Sequence, residues 1–373
     1  MCKHAVSRRD FLQSMATASI LQIATRRAAW AQALSPGAPT DLFQIEKVAD
    51  GVFFAQARPQ AVINCNAAIF VNSADVLVVD AHSKPSAAAG LIAQIKQQVT
   101  TKPVRYLVDT HFHWDHSQGN AGYREAFGKD LKIVASEATK KLEAQFLQAR
   151  LRESLDPHGH PFSGQPHIPE LLDAARRQLS SATSAQKKAQ LTTQISQLEA
   201  FLREMQNFTP VLPTVTFTDA YVVKDKAHDL HVEFHGRAHT AGDVVVFCPQ
   251  KRVVATGDMV LGGLPFLGDS YPKEWPATID SVSKLGFDYV CGGHGALQNG
   301  RQRMTGLRNY IEETAAKVEA AKRAGKSLAE IQASMPIASI KALQADNYGN
   351  LVGAKQAAVN TNIEHIFNRL GQS

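Results

Sequence analysis

The sequence lacks a disulfide framework and a membrane-spanning segment. Only four cysteines occur in 373 residues. Three of them, Cys65, Cys248 and Cys291, are so widely spaced that they allow one bridge at most and require none. The weakly apolar run at residues 14–24 is soon followed by two arginines, so it falls short of the about 20 apolar residues that a spanning helix needs.

The sequence also lacks a block of like charge outside its N terminus. Residues 1–33 contain five basic residues and one acidic residue, so most of the net charge of +6 belongs to that segment. The remainder offers no charged run that would favour binding to nucleic acid or to a membrane surface. A composition that is 44% hydrophobic and 20% charged is typical of a soluble globular chain with one large domain or two small ones.

Residues 1–33 are predicted to be an export signal rather than part of the fold. The run SRRDFL at residues 7–12 resembles a twin-arginine motif, and AQA at residues 31–33 is a small-x-small cleavage pattern. We expect cleavage after Ala33, with Ala31 as second choice; a basic amphipathic helix is the alternative. Export by the twin-arginine machinery would deliver a folded chain without a membrane span to the periplasm or the medium.

The run HFHWDH supplies four side chains of metal-ligand type: His111, His113, Asp115 and His116. It follows an apolar run at residues 104–108 that predicts a buried strand. Three imidazoles and a carboxylate are costly to bury unless a cation pairs with them, and two adjacent ions could use all four. In extended backbone the first three would share a face. A histidine-rich surface loop is the alternative.

Three more residues of ligand type follow predicted strands later in the chain: His239, Asp258 and His294. Side chains at the ends of neighbouring strands can meet on one rigid edge, where metal sites are usually built. Asp80 also ends a predicted strand, and it either supports the same site or serves as a turn residue.

The pattern between these residues predicts a mixed α/β chain with an inserted helical segment. A strand, a helix and a strand follow one another over residues 76–110, which implies a crossover and a partly parallel sheet. Residues from about 137 to 208 read as the insertion, whose apolar stripe from Leu191 to Met205 would pack on another helix. The insertion packs on the body, covers the active site or forms a homodimer contact. Three histidines in its loop are expected to be solvent-exposed: His158, His160 and His167.

The order of the seven ligand-type residues, each just past a predicted strand, resembles the metallo-β-lactamase superfamily. The resemblance covers residues 42–300 apart from the insertion, and residues 301–373 are predicted to be helices packed on the same domain. It implies a four-layer αβ/βα sandwich with metals at one edge of two mixed sheets. It also implies a first zinc on His111, His113 and His239, a second on Asp115, His116 and His294, and Asp258 as the bridge.

Two Zn²⁺ ions per chain are the cofactors that this resemblance implies, and Fe or Mn would also suit such ligands. Two cations about 3.5–4 Å apart can share a hydroxide, because coordination lowers the pKa of water from about 15.7 to about 7. We expect this hydroxide, oriented by Asp115, to attack an ester, lactone, thioester or amide bond of a small-molecule substrate. No cysteine nucleophile is then needed, and Cys291 is expected to be a buried structural thiol.

Two departures from the family pattern bear on the substrate. The run from His239 to Asp280 is similar to one β-lactamase subclass. That subclass has a cysteine ligand, a lysine three residues later and an asparagine before LGD, where this chain has Asp258, Leu261 and Phe266. Asp258 and His116 instead match the glyoxalase II and lactonase side of the superfamily. β-Lactam hydrolysis is therefore one alternative, and an iron-dependent oxidoreductase similar to persulfide dioxygenases is another.

Overall fold

The computed structural model describes residues 42–59, 62, 65–159 and 165–370. Residues 1–41, and with them the predicted export signal and its cleavage site, lie outside the described residues. The first sheet runs in chain order: β1 (Phe43–Ala49), β2 (Val52–Ala57), β3 (Ala67–Val71), β4 (Val76–Val79), β5 (Val104–Val108), β6 (Lys132–Ser136) and β7 (Val215–Phe217). The second sheet contains β8 (Ala220–Val223), β9 (Leu230–Phe234), β10 (Val244–Cys248), β11 (Val253–Gly257), β12 (Tyr289–Gly292) and β13 (Gln298–Asn299), each beside the next.

The α-helices of the described residues follow in chain order. They are α1 (Pro85–Gln98), α2 (Trp114–Ser117), α3 (Asn120–Phe127), α4 (Glu137–Leu155), α5 (Ile168–Ser181), α6 (Ala185–Met205), α7 (Trp275–Val282), α8 (Gln302–Arg323), α9 (Leu328–Ser334), α10 (Lys341–Gln344), α11 (Tyr348–Leu351) and α12 (Gln356–Arg369). No helix in this part of the chain is both long enough and apolar enough to cross a bilayer.

Both sheets are mixed. Strands β1 to β4 pair antiparallel, whereas β4, β5, β6 and β7 pair in parallel. Helix α1 makes the connection from β4 to β5, as the sequence predicted, because parallel neighbours need a crossover. In the second sheet only β11 and β12 are parallel. Parallel strands place their carboxyl ends at the same edge, and this is where the ligand-type residues follow β5, β11 and β12.

Strand β10 shows how the two sheets are packed. Val244 and Val246 lie in the core shared by both sheets, with Val52 and Leu77 of the first sheet in the same cluster. Val245 faces the opposite side and packs among the helices outside the second sheet. Successive strand residues point to opposite faces, so a strand that is buried on both faces is apolar throughout.

Helices cover the outer faces and complete four layers. Leu91 and Ile95 of α1 and Tyr123 of α3 pack on the first sheet. The outer face of the second sheet packs against α7, α8 and the C-terminal helices in one cluster that includes Trp275 and Ile363. This helix–sheet–sheet–helix order confirms the predicted fold class.

The segment predicted as an insertion consists of α4, α5 and α6. Leu198 and Met205 of the predicted stripe are buried with Trp114 and Leu147. Helices α5 and α6 are separated at residues 182–184, where Ser184 accepts a hydrogen bond from the backbone N–H of Lys187 and starts α6.

Glu204, near the end of α6, attaches the insertion to the body. Its carboxylate accepts hydrogen bonds from the backbone N–H of Ser86 at 2.7 Å and from the Ser86 hydroxyl at 2.6 Å. Lys84 lies 3.6 Å away. The carboxylate therefore caps the N terminus of α1, a position that favours negative charge.

Candidate metal centre

The seven predicted ligand residues come together where strands of both sheets end. Four of them belong to the segment that follows β5, and the last two of these lie in the short helix α2: His111, His113, Asp115 and His116. His239 lies between β9 and β10, while Asp258 directly follows β11 and His294 follows β12. Six of the seven side chains are buried, and His294 retains 26% exposure. One open side is what a substrate requires.

Three imidazoles converge in what we call the first donor set: His111, His113 and His239. Nδ1 of His113 lies 3.1 Å from Nε2 of His111 and 3.0 Å from Nε2 of His239. Three nitrogens facing one point, with the fourth direction left to water or substrate, is the arrangement of catalytic zinc sites.

A second donor set combines two imidazoles with a carboxylate: Asp115, His116 and His294. Oδ2 of Asp115 lies 3.1 Å from Nε2 of His294 and 3.6 Å from Nε2 of His116. The expectation that Asp115 shares a face with His111 and His113 is wrong, because the extended backbone gives way to a helical turn at Trp114. That turn directs Asp115 and His116 towards His294.

The carboxylate of Asp258 lies between the two donor sets. Its Oδ2 is 3.7 Å from Nε2 of His239 in the first set and 3.5 Å from Nε2 of His294 in the second. Its Oδ1 is 3.5 Å from Nε2 of His116. A bridging ligand would have to occupy this position.

Two imidazoles of the first donor set, His111 and His239, are held in the neutral form. Burial lowers the pKa of His239 to about 3 and, together with the neighbouring histidines, holds the pKa of His111 well below its usual value. A metal ligand must present a free lone pair. These rings offer theirs without first losing a proton.

The second set and Asp258 place carboxylates beside imidazoles. Burial alone would raise the pKa of Asp258, but His294 and His116 hold it well below its usual range. Burial would likewise lower the pKa of His116, but the acidic groups around it, Cys65 and Asp80 first, raise it well above normal. Nε2 of His116 and Oδ1 of Asp258 are buried without a hydrogen-bond partner among the described residues. The donors therefore fit divalent cations, whose positive charge would replace that of the proton on His116.

Comparison with known proteins settles the family. The family model described as Metallo-beta-lactamase superfamily matches residues 61–294. The chain belongs to the metallo-beta-lactamase superfamily. Members of this superfamily are metal-dependent hydrolases, and the predicted family is confirmed.

Two similar proteins carry related names. A type 2 metallo-beta-lactamase from Elizabethkingia meningoseptica is 31% identical over 85 residues, which are 21% of this chain and 34% of that protein. The chain therefore spans about a third of the length of this curated relative. A metallo-beta-lactamase structure from Pontibacter korlensis is 18% identical, with a TM-score of 0.49 over 71% of this chain and 98% of that one.

Residues outside the two donor sets contact the predicted ligands or the loops that carry them. Asp80, which the sequence left open between two roles, contacts Nδ1 of His116 at 2.9 Å. Asn66 donates from its side-chain amide to the carbonyl oxygens of Gly292 and Gly295, on both sides of His294. Such contacts orient metal ligands. Sequence reasoning missed Asn66, because nothing local links it to a loop 226 residues away.

Asp269 and Glu143 were also missed. Asp269 belongs to the LGD run, and its Oδ2 accepts a hydrogen bond from Nε2 of His113 at 3.0 Å. Glu143 of α4 faces Asp109, and burial raises the pKa of both carboxyl groups well above normal. The LGD run was the one available signal for Asp269. For Glu143 there was none.

Steric limits are tight around Asp258. A Cβ built on Gly293 would lie 2.2 Å from Oδ1 of Asp258 and 2.7 Å from Cε1 of His116. Gly293 is therefore required by close packing rather than by backbone conformation.

Cys291 is buried and His158 is exposed, as predicted, but the prediction that His167 is solvent-exposed is wrong, because its side chain is only 10% exposed. Cys65, Cys248 and Cys291 are buried and free. Burial raises the pKa of Cys65 to about 12 and that of Cys291 further, so neither is an activated nucleophile. His158 is exposed, His167 is partly buried with Nε2 2.8 Å from the backbone oxygen of Asp156, and His160 lies outside the described residues.

Proposed function

We propose that this chain is a dinuclear zinc hydrolase that cleaves an ester, lactone, thioester or amide bond of a small molecule. The observation that carries the proposal is the place of Asp258, whose carboxylate is 3.5–3.7 Å from ring nitrogens of both donor sets. In this proposal His111, His113 and His239 would hold one zinc, Asp115, His116 and His294 would hold the other, and Asp258 would contribute a ligand to both. Nitrogen and carboxylate donors suit Zn²⁺, while Fe or Mn would also accept them.

The chain's own residues would prepare the reaction in three ways. When bound, divalent cations lower the pKa of water and polarise a carbonyl oxygen. Asp115, with Oδ2 3.1 Å from His294, is placed to orient the attacking water and to accept its proton at that oxygen. The 26% exposure of His294 leaves that side open for the substrate. Burial of the remaining ligands excludes bulk water and strengthens their electrostatic effect.

β-Lactam hydrolysis is the second candidate, favoured by the partial match to a type 2 metallo-beta-lactamase. Two residues argue against it. Leu261 is buried and carries no charge that could bind a carboxylate. The ring of Phe266 lies 5.9 Å from that of His113 and 6.4 Å from that of His239, so an apolar group covers the first donor set.

The proposal is tested by metal content and by Asp258→Ala. We expect about two zinc ions per wild-type chain. The variant should lose the second ion and on the order of 100-fold or more in rate, because the bridging anion is gone. Asp130→Ala, a surface carboxylate paired with Arg105, is the matched control and should change neither. Full occupancy and an unchanged rate in Asp258→Ala would overturn the proposal.

A substrate panel separates the candidate reactions. Zinc-loaded wild-type protein is assayed with an ester, a lactone, a thioester, an amide and the β-lactam nitrocefin. Faster turnover of nitrocefin than of the acyl substrates would favour the second candidate. One iron per chain in place of two zinc ions would favour oxygen chemistry instead.

We also propose export through the twin-arginine machinery, supported by the SRRDFL run and by the AQA cleavage pattern. Replacing Arg8 and Arg9 together by lysine should retain the protein inside the cell. Cell fractionation with an antibody to the chain measures this. Unchanged export of the double variant would contradict the export proposal.

A homodimer can be tested by light scattering on the exported protein.

A further inference from the structure

Helix α4 contacts the loops of the metal centre at four positions along one face. The hydroxyl of Thr139 donates to the carbonyl oxygen of Gly242 at 2.9 Å, in the loop that carries His239. Glu143 faces Asp109, just before His111. The ring of Phe146 lies 5.9 Å from that of Phe112. Contacts at positions 139, 143, 146 and 150 follow the three-and-four spacing of one helix face.

The last of these contacts reaches a member of the first donor set. The guanidinium of Arg150 donates to both oxygens of Asp269, with Nη1 2.7 Å from Oδ2 and Nη2 2.8 Å from Oδ1. The same Oδ2 accepts from Nε2 of His113 at 3.0 Å. With its proton on Nε2, His113 has a free lone pair on Nδ1, the atom that faces His111 and His239.

Arginine suits this position better than lysine. The side chain of Arg150 is 14% exposed. Its guanidinium lies 5.1 Å from the ring centroid of Phe112 and 5.0 Å from that of Phe146. A planar fork can grip a carboxylate with two bonds and stack on aromatic rings at the same time, whereas an ammonium group can do neither as well.

We propose that Arg150 is a positioning residue for the first metal. By fixing Asp269 it holds the tautomer and the ring orientation of His113, so the inserted helix α4 sets the affinity of the first donor set. The inference rests on the proposed metal function. It adds a role for the insertion, which is then a support for one of the two metal sites rather than only a surface addition.

The test compares metal affinity in Arg150→Met with wild type. Cobalt titration followed by visible absorption, checked by zinc competition, should show a 10- to 100-fold weaker first site and an altered spectrum at that site. The second site should keep its affinity. Arg150→Lys should restore part of the loss. Arg152→Met, an exposed arginine on the same helix, is the matched control and should behave as wild type.

Asp269→Asn and the double variant give a second test. The asparagine keeps the size and one acceptor, so the chain should fold. Asp269→Asn should lower the metal affinity of the first donor set in the same way. The double variant should bind metal there as tightly as the single variant with the lower affinity, because both changes break the same connection from Arg150 through Asp269 to His113. Equal affinity of Arg150→Met and wild type, or additive losses in the double variant, would overturn this inference alone. A wild type that binds no cation would overturn the proposed function as well.

Discussion

Asp80 joins two parts of the metal centre through its two carboxylate oxygens. Oδ2 accepts a hydrogen bond from Nδ1 of His116 at 2.9 Å. Oδ1 accepts from the backbone N–H and the hydroxyl of Thr110 at 3.0 and 2.9 Å. This arrangement turns Nε2 of His116 towards Asp115 and Asp258.

Removing the Asp80 carboxylate should therefore loosen the second donor set. We predict that Asp80→Ala weakens the second metal site by about 10- to 100-fold, because His116 loses the group that orients it. Zinc retained after dialysis against a weak chelator measures the change. Asp219→Ala, an exposed carboxylate in the β7–β8 turn, serves as control. If Asp80→Ala retained zinc as well as the control, the orienting role would be refuted.

A methyl group at position 293 should displace the carboxylate of Asp258 from its place in the metal centre. Gly293→Ala would place Cβ 2.2 Å from Oδ1 of Asp258, so the carboxylate has to move. We predict loss of the bridged pair of metals, with circular dichroism unchanged, because the displaced groups lie at strand ends. Gly286→Ala, where the nearest atom to the new Cβ is 3.6 Å away, should retain both metals. Equal zinc content in the two variants would contradict this.

Asp243 gives the metal-free protein a pH-dependent stability. Burial raises the pKa of Asp243 to about 6 from 3.8, although Thr240 donates to it from the backbone N–H at 2.6 Å and from the hydroxyl at 3.0 Å. The pKa of Asp243 is therefore higher in the folded state than in the unfolded state. The stability that the protonated carboxyl group contributes is fully present below pH 3.8 and is lost as the pH rises through about 6.

The variant Asp243→Asn should lack this loss. Between pH 4 and pH 7 the wild type should lose about 2–3 kcal/mol of unfolding free energy relative to the variant, from about two units of pKa shift. Urea unfolding of chelator-treated protein measures both. Parallel pH profiles of wild type and variant would show that Asp243 does not titrate in this range.

Glu204 should stabilise the contact between insertion and body. We predict that Glu204→Ala lowers the free energy of unfolding by about 1–2 kcal/mol, because the capping bonds to Ser86 disappear. Zinc content should not change. Glu199→Ala, whose carboxylate pairs with the exposed Arg176, should cost less than about 0.5 kcal/mol. Equal losses in the two variants would show that Glu204 acts only as a surface charge.

The seven ligand-type residues could be found from sequence because each follows a segment whose apolar or alternating pattern predicts a strand. The order of β4, α1 and β5 over residues 76–110 was predicted for a related reason, since the periodicity of apolar residues is a local signal. The turn of helix at Trp114 was missed. A short helix needs tertiary contacts to form, and here Trp114 is buried among the inserted helices.

Pairs that are distant in sequence could not be predicted. Arg150 and Asp269 are 119 residues apart, and a single sequence does not show which charged residues form an ion pair in the folded chain. The same holds for Glu143, which reads as an ordinary helix-surface acid until the fold buries it beside Asp109. The export signal at residues 1–33 and the homodimer stay predictions.

The donor atoms are divided between two sheets, and His294 is the last of them along the chain. During synthesis, a nascent polypeptide that stops just before residue 294 contains the first donor set and Asp258 but lacks one member of the second set. The second donor set is therefore completed only once the chain has been synthesised past residue 294, whereas the first set needs the chain only as far as residue 239.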